Sequence, residues 1–329
     1  ADSPPVATPP RPIHAEQTVF ITCKAVGRSF RFVPTEKVTQ MLLFALAYTS
    51  SKFEISIHEV VYMSNHYHLL LTAHTKCLPD FMEQLNSLTA RALNAYRGTT
   101  GTNIEKGYNC VAPQDGEKLL EHTVYTLTNP CASDLVTKAR QWKGVTTARM
   151  RYGDEVVVSK PKFGLWTPKP KKTSPKRKKR RRRSDARTRS KRDRSTIPKT
   201  ATLRLVRPPV RPELSDDELR DLVLGRVTAR ESELELVRQR AGKKVLKMRN
   251  VQKQHWAAMP GAEELFGIRP TVSANDKNKR IAAIGNKKAF ERAYEEARKR
   301  WLAGEKDVEF PAGTWLMWRR YQARCASAA

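Results

Sequence analysis

The chain has 329 residues, 39% of them apolar, and a formal net charge of +29 with an isoelectric point near 10.2. Length and apolar content allow a packed core and exclude a chain disordered throughout. The charge far exceeds what solubility requires and points to a polyanionic partner, nucleic acid before an anionic membrane, because neither a long apolar span nor a basic amphipathic helix with a broad apolar face stands out. Five cysteines, Cys23, Cys77, Cys110, Cys131 and Cys325, lack C-x-x-C spacing, and the opening "ADSPPVATPPRP" lacks the apolar run of a signal peptide. Both features predict a reducing, intracellular setting.

Residues 1–16, rich in proline and small residues, read as a disordered lead-in. "QTVFITCK", from Gln17, is rich in β-formers and reads as a strand, and "SFRFVP" after Gly27 reads as a second short strand or an extended turn. In "PTEKVTQMLLFALAYTSSKF", Thr35 is a candidate N-cap and Glu36 lies in the first turn. Val38, Leu42, Leu43 and Leu46 follow at helical spacing. "FEISIHEVVYM" and "HYHLLLTA" are two strands joined by a tight turn at Ser64 and Asn65, and they should pair antiparallel. "LPDFMEQLNSLTARALNAY" is an amphipathic helix with Phe81, Leu85, Leu88, Ala92 and Leu93 on one side. After a loop with Gly98, Gly101 and Gly107, a third helix runs through "GEKLLEHTVYTLTN". It should stop at Pro130, since the residue before a proline is pushed out of the helical region. The order strand, helix, strand, strand, helix, helix predicts a small α+β domain over residues 17–150, with helices packed on one antiparallel sheet.

Residues 151–200 read as a basic disordered linker. Its stretch 160–200 carries 19 Lys and Arg against only Asp185 and Asp193, a net +17 of the chain's +29, and such a density of like charge with little apolar content does not fold alone. Contact with nucleic-acid phosphates is the reading we carry for this arm. Residues 201–329 read as a basic, mainly helical region. Ser215 and Glu218 form a capping-box pattern, and "NKKAFERAYEEARKRWLAG" is a helix closed by Gly304.

His66 and His68 alternate on one strand, so they project from the same face about 7 Å apart, a spacing that suits a metal-ligand or phosphate-facing pair. Tyr125 and Asn129 lie one helical turn apart on one face of the third helix. Each also has an ordinary explanation: hydrogen-bonded strand histidines, a core tyrosine, an asparagine ending a helix. A nucleotide hydrolase with three alternating histidines would need histidine at position 70, and H-x-H-x-D-H would need Asp and His at 70 and 71, where Leu70 and Leu71 stand. His58 and His74 match no ligand position, and Glu121 reads as part of a solvated helix face.

Together the motifs resemble a known family. "YMSNHYHLLLT" resembles the histidine, hydrophobic, histidine strand of the HUH nucleases. "YTLTNPCASDLV" resembles the tyrosine helix of the single-tyrosine transposases, in particular the REP-associated tyrosine transposases with their transposase IS200-like domain, and the likeness spans about residues 17–147. It implies a ferredoxin-like HUH domain with helices on one face of an antiparallel sheet. It further implies a Mg²⁺ or Mn²⁺ ion held by His66, His68 and the amide oxygen of Asn129, with Tyr125 as nucleophile. The implied reaction cleaves and rejoins single-stranded or hairpin DNA of repetitive or mobile elements through a 5′-phosphotyrosine, without ATP. The implied setting is the bacterial cytoplasm at the nucleoid, with no membrane, and monomer against homodimer is left open. One departure stands out: where members carry a Trp-bearing, arginine-rich stretch between the second and third helices, this chain has "GTNIEKGYNCVAPQDG". The rival reading is a domesticated DNA- or RNA-binding protein that keeps the fold and no longer cuts. The intact set of His66, His68, Tyr125 and Asn129 argues against it.

Overall fold

In a computed structural model of the chain the described residues are 10–162, 197–261, 270–305 and 307–327. The first domain runs β1 (Gln17–Lys24), α1 (Glu36–Lys52), β2 (Ile55–Tyr62), β3 (His66–Ala73), α2 (Leu78–Arg97), β4 (Asn109–Pro113) and α3 (Gly116–Ala132). A two-residue strand, β7 (Val272–Ser273), adds to β4, so the sheet order is β2-β3-β1-β4-β7, antiparallel except for the last pair. The first four strands with α1 and α2 make the β-α-β-β-α-β arrangement of a ferredoxin-like α+β fold.

The strand period of two sorts the side chains. Val19, Ile21 and Cys23 of β1 and Tyr67, Leu69 and Leu71 of β3 join the core under α1 and α2. Phe20 of β1, Val61 of β2 and Leu70 of β3 join a second core with Leu119, Leu120 and Leu127 of α3. The expectation of helices on one face therefore holds for α1 and α2, while α3 covers the other face. The reason is that β1, β2 and β3 are apolar on both sides, and a single helix layer would leave Phe20, Val61 and Leu70 in water.

Local signals place several boundaries. The Thr35 hydroxyl accepts from Val38 N at 3.4 Å and starts α1, and Gly98, in the left-handed region at φ 67°, closes α2. "SFRFVP" takes the second of its two readings, a turn. Two other expectations are corrected. β4 is a strand where a loop was read. Pro130 lies inside α3, whose last turn continues to Ala132. A proline so close to the end forfeits little, because Ser133 N donates to Asn129 O (3.0 Å) and Leu135 N to Pro130 O (3.0 Å), which closes the helix beyond it.

Two segments read as unstructured are partly ordered. In the lead-in, Ile13 is buried and its N–H donates to Gly313 O at 3.0 Å. In the basic segment, β5 (Glu155–Ser159) pairs antiparallel with β6 (Thr200–Arg204), and Val158, Ala201 and Leu203 enter the core under α1. Residues 163–196, with the arginine run, lie outside the described residues.

The C-terminal region is mainly helical, as read: α4 (Asp216–Arg240), α5 (Met248–Lys253), α6 (Lys277–Leu302) and α7 (Trp315–Tyr321). The capping box at Ser215 forms, with Ser215 N donating to Glu218 Oε2 (2.8 Å) and Glu218 N to Ser215 Oγ (3.3 Å). Leu219, Val223 and Val227 of α4 share the second core with α3. Arg220 and Glu59, both fully buried, meet at 2.6 Å, and Arg220 also donates to Thr147 O at 2.7 Å. Burial, the largest single influence, lowers the Arg220 pKa; Glu59 and Tyr152 together outweigh it and hold the guanidinium protonated. None of the described helices is long and apolar enough to cross a membrane.

Candidate metal and nucleophile site

His66 opens β3, and the alternation of that strand aims His66 and His68 at α3, with their ring centroids 4.8 Å apart. His66 Nδ1 lies 2.7 Å from Asn65 Oδ1, an acceptor only, so Nδ1 donates and Nε2 keeps its lone pair. Asn129 Nδ2, a donor only, lies 3.3 Å from His68 Nε2, so that nitrogen accepts; Nδ1 then donates to Thr22 Oγ1 at 3.0 Å. Both rings thus present an unprotonated Nε2 to the α3 side.

The electrostatics agree. Burial, then Arg28 and Lys24, lower the His66 pKa to about 4, and the side-chain interaction with Asn129 opposes them more weakly. Burial, then His66 and His122, hold His68 well below the usual imidazole range. Both are neutral at pH 7, the form that ligates a metal.

α3 supplies the other half. Tyr125 is 47% exposed, and its ring stands edge-on to His68 (5.3 Å) and Phe20 (5.9 Å). Burial raises its phenol pKa, and a hydrogen bond with Asn129 opposes the rise. Asn129 is buried, its amide touches His66, His68 and Tyr125, and its Oδ1 has no hydrogen-bond partner. The four residues singled out from the sequence therefore meet in one place.

That orphaned oxygen tests the fit of a cation. A buried carboxamide oxygen without a donor costs free energy, and a half-turn of the amide exchanges its two ends, putting oxygen on the side of the unprotonated imidazole nitrogens. Two neutral imidazoles and one amide oxygen suit a divalent ion and leave room for oxygen ligands from a substrate. Among the described residues no group of three His, Cys, Asp or Glu is placed to hold a metal; beside the two imidazoles it is the Asn129 amide that offers a further donor atom.

Sequence reasoning missed two neighbours. Phe20 is stacked between His68 (5.1 Å, 15°) and His122 (4.5 Å, 16°), and His122 Nε2 lies 2.9 Å from Ser273 Oγ of β7. The signal for His122 was available, since it lies three residues before Tyr125 on the same helix. Phe20 gave none, because its neighbours come from a strand register and a helix that only the fold brings together. His58, with Nδ1 2.9 Å from Val206 O and Nε2 2.8 Å from Thr72 Oγ1, is a structural histidine, and His74 pairs with Glu16 at 2.8 Å. Glu121 engages Lys118 and Asn275.

Residues 25–109 match the family model described as transposase IS200 like. That span contains His66 and His68 and ends before Tyr125 and Asn129. Among solved structures the chain is similar to a REP-associated tyrosine transposase bound to a REP hairpin, at 16% identity over 43% of this chain and 82% of that one, with a TM-score of 0.38. It is also similar to a candidate transposase from Deinococcus radiodurans R1, at 18% identity over 32% of this chain and 85% of that one, with a TM-score of 0.25. A comparison with curated proteins gives no match. Over residues 25–109, about a quarter of the chain, the sequence is therefore similar to the transposase IS200-like family, and that family match alone carries the likeness.

Proposed function

We propose that the protein is a metal-dependent, single-tyrosine transposase that cleaves and rejoins single-stranded DNA. The observation that supports this most is the meeting of Tyr125 with His66, His68 and an Asn129 amide whose oxygen is buried without a partner. His66, His68 and Asn129 would hold Mg²⁺ or Mn²⁺, and the imidazole-rich donor set favours Mn²⁺ over Mg²⁺. Bound there, such an ion supplies Lewis-acid polarisation of the scissile phosphate.

The chain's own residues do the rest. Asn65 and Thr22 fix the imidazole tautomers from behind, and Phe20 sets the plane of His68. The Tyr125 hydroxyl gives its proton to solvent and its oxygen attacks phosphorus. The bond from phosphorus to the 3′-oxygen breaks, that oxygen takes up a proton, and the 5′-phosphate stays on Tyr125 as an ester. The reverse attack by the 3′-OH of another strand rejoins DNA and frees the tyrosine, without ATP, because the ester retains the bond that was broken. Half-exposure suits Tyr125 to both steps, since the strand must reach it twice.

The test is a covalent adduct. Incubation of the full chain with single-stranded oligonucleotides and Mn²⁺ should give a protein band shifted by the mass of the 5′-phosphorylated fragment, mapped by peptide analysis to Tyr125. DNA binding without any adduct would favour the non-cleaving rival.

A further inference from the structure

The loop between β1 and α1 is fastened to the turn that precedes the histidine strand: Ala25 N donates to Asn65 O (2.8 Å) and Phe32 N to Ser64 O (2.8 Å). It carries Arg28, which with Lys24 bears electrostatically on His66, and then Arg31. Against it lies a loop of the C-terminal region. Phe30 N donates to Ala258 O at 2.9 Å, and the Trp256 indole receives two guanidinium groups, Arg31 at 4.5 Å and Arg97 of α2 at 4.8 Å. Arg31 Nε donates to Ser29 Oγ (2.8 Å) and Arg97 Nη2 to Arg31 O (2.7 Å), while the buried Arg97 Nη1 has no partner.

Two guanidiniums on one indole, joined to neutral acceptors and with neither paired to a carboxylate among the described residues, form an unusual arrangement for structure alone. Like charges held together repel, and a purely structural contact would be better served by one arginine or by an arginine and a carboxylate. Burial and then the Arg31 charge lower the Arg97 pKa to about 10, which marks the same frustration. An anion relieves it. The planar fork of arginine matches phosphate oxygens in pairs, and the indole holds the forks in place so that little freedom is lost on binding.

We propose that Arg31, Arg97 and Trp256 form a phosphate-binding subsite for the backbone of a single DNA strand, beside the His66, His68 and Tyr125 site and completed only by the C-terminal region. This rests on the proposed single-strand reaction for its ligand. Lys24, which faces His66 across the β1 and β3 register, and Arg28 continue the basic track from the subsite toward the histidines. Phosphate contacts of this kind set the register of a strand without reading its bases.

The test uses the full chain as Tyr125→Phe, so that no cleavage intervenes, and a fluorescent 15-residue oligo-deoxythymidine followed by anisotropy over a salt series without added metal. Arg31→Gln should weaken binding about tenfold at low salt and flatten the slope of log affinity against log salt by roughly 0.7, the value for one single-strand phosphate contact. Trp256→Ala should do the same while Trp256→Phe, which keeps a ring face for the guanidiniums, largely restores binding. Arg204→Gln, on β6, serves as a charge-matched control and should change the slope less. The proposal is overturned if Arg31→Gln keeps the parent slope, if Arg204→Gln flattens it as much, or if the oligonucleotide does not bind. Because binding is read without cleavage, failure of the tyrosine chemistry leaves this result intact, and a normal adduct with an unchanged slope removes the subsite alone.

Discussion

Asn129 Nδ2 lies 3.3 Å from His68 Nε2 although the two residues stand 61 positions apart, one on a helix and one on the strand it covers. The contact turns a pair of histidines into a three-residue cluster, and it leaves Asn129 Oδ1 buried and unsatisfied. A polar network finished on every side except at one buried acceptor oxygen suits a partner that takes that oxygen's lone pair, and a cation does so without a proton.

Metal affinity should follow this geometry. By calorimetric titration with Mn²⁺, His66→Ala and His68→Ala should abolish measurable binding, and Asn129→Ala should weaken it less, since water replaces an amide oxygen more readily than an imidazole. Asn129→Asp should bind at least as tightly as the parent. Releasing the rings from behind by Thr22→Val or Asn65→Ala should cost about 10- to 100-fold in affinity. Cleavage that proceeds undiminished in EDTA would remove the metal from the mechanism.

Tyr125→Phe deletes one half-exposed hydroxyl from a ring whose packing on Phe20 and His68 remains. Stability should change by no more than about 0.5 kcal/mol, the range of surface substitutions, while the covalent DNA adduct disappears. An adduct that persists would transfer the role to another tyrosine, with Tyr108 and Tyr96 next in line.

The C-terminal region should not be removable. Arg220 of α4 and Glu59 of β2 are an ion pair with both partners out of water, and the Thr147 hydroxyl donates to the same carboxylate. Arg220→Ala should cost about 3 to 5 kcal/mol in urea unfolding, because it strands a buried carboxylate. Pairing it with Glu59→Gln should recover a large part of that loss. A chain cut after residue 150 should expose Phe20, Val61 and Leu70 around an incomplete second core and aggregate, read by light scattering.

Acid should destabilise the fold before the carboxylates titrate. His58 is buried and neutral, its pKa lowered to about 4 by burial, against the favourable hydrogen bond to Val206 O. In the unfolded chain it titrates near 6.5, so between about pH 6.5 and 4 the unfolded state binds the extra proton and stability falls with pH. One such histidine contributes a slope of at most about 1.4 kcal/mol per pH unit in that window. His58→Gln, with an amide for the same partners, should reduce the slope of urea-derived stability against pH, and an unchanged slope would assign the acid sensitivity elsewhere.

How much was legible depended on range. The Thr35 cap, the Ser215 and Glu218 capping box and the alternation of "HYHLLLTA" are decided within a few residues, and each appears where the pattern put it. β4 was not legible, since "NCVAP" is too short to show a period and ends in proline. β7 has only two residues and exists by pairing with a strand some 160 positions earlier. The end of α3 was misjudged because a proline in a last turn removes a single donor, and carbonyl partners from the following loop decide the outcome.

By itself the sequence determined the chemistry on offer: two histidines on one strand face, a tyrosine and an asparagine one helical turn apart, and a charge that calls for a polyanion. These follow from fixed backbone periods and formal charges, which hold in any fold. Only the tertiary structure decided that α3 crosses to the histidine face, that Phe20 holds the ring of His68, and that Arg220 and Trp256 reach back into the first domain. Those outcomes depend on burying both faces of a sheet that is apolar on both sides, a condition no local stretch of the chain can express.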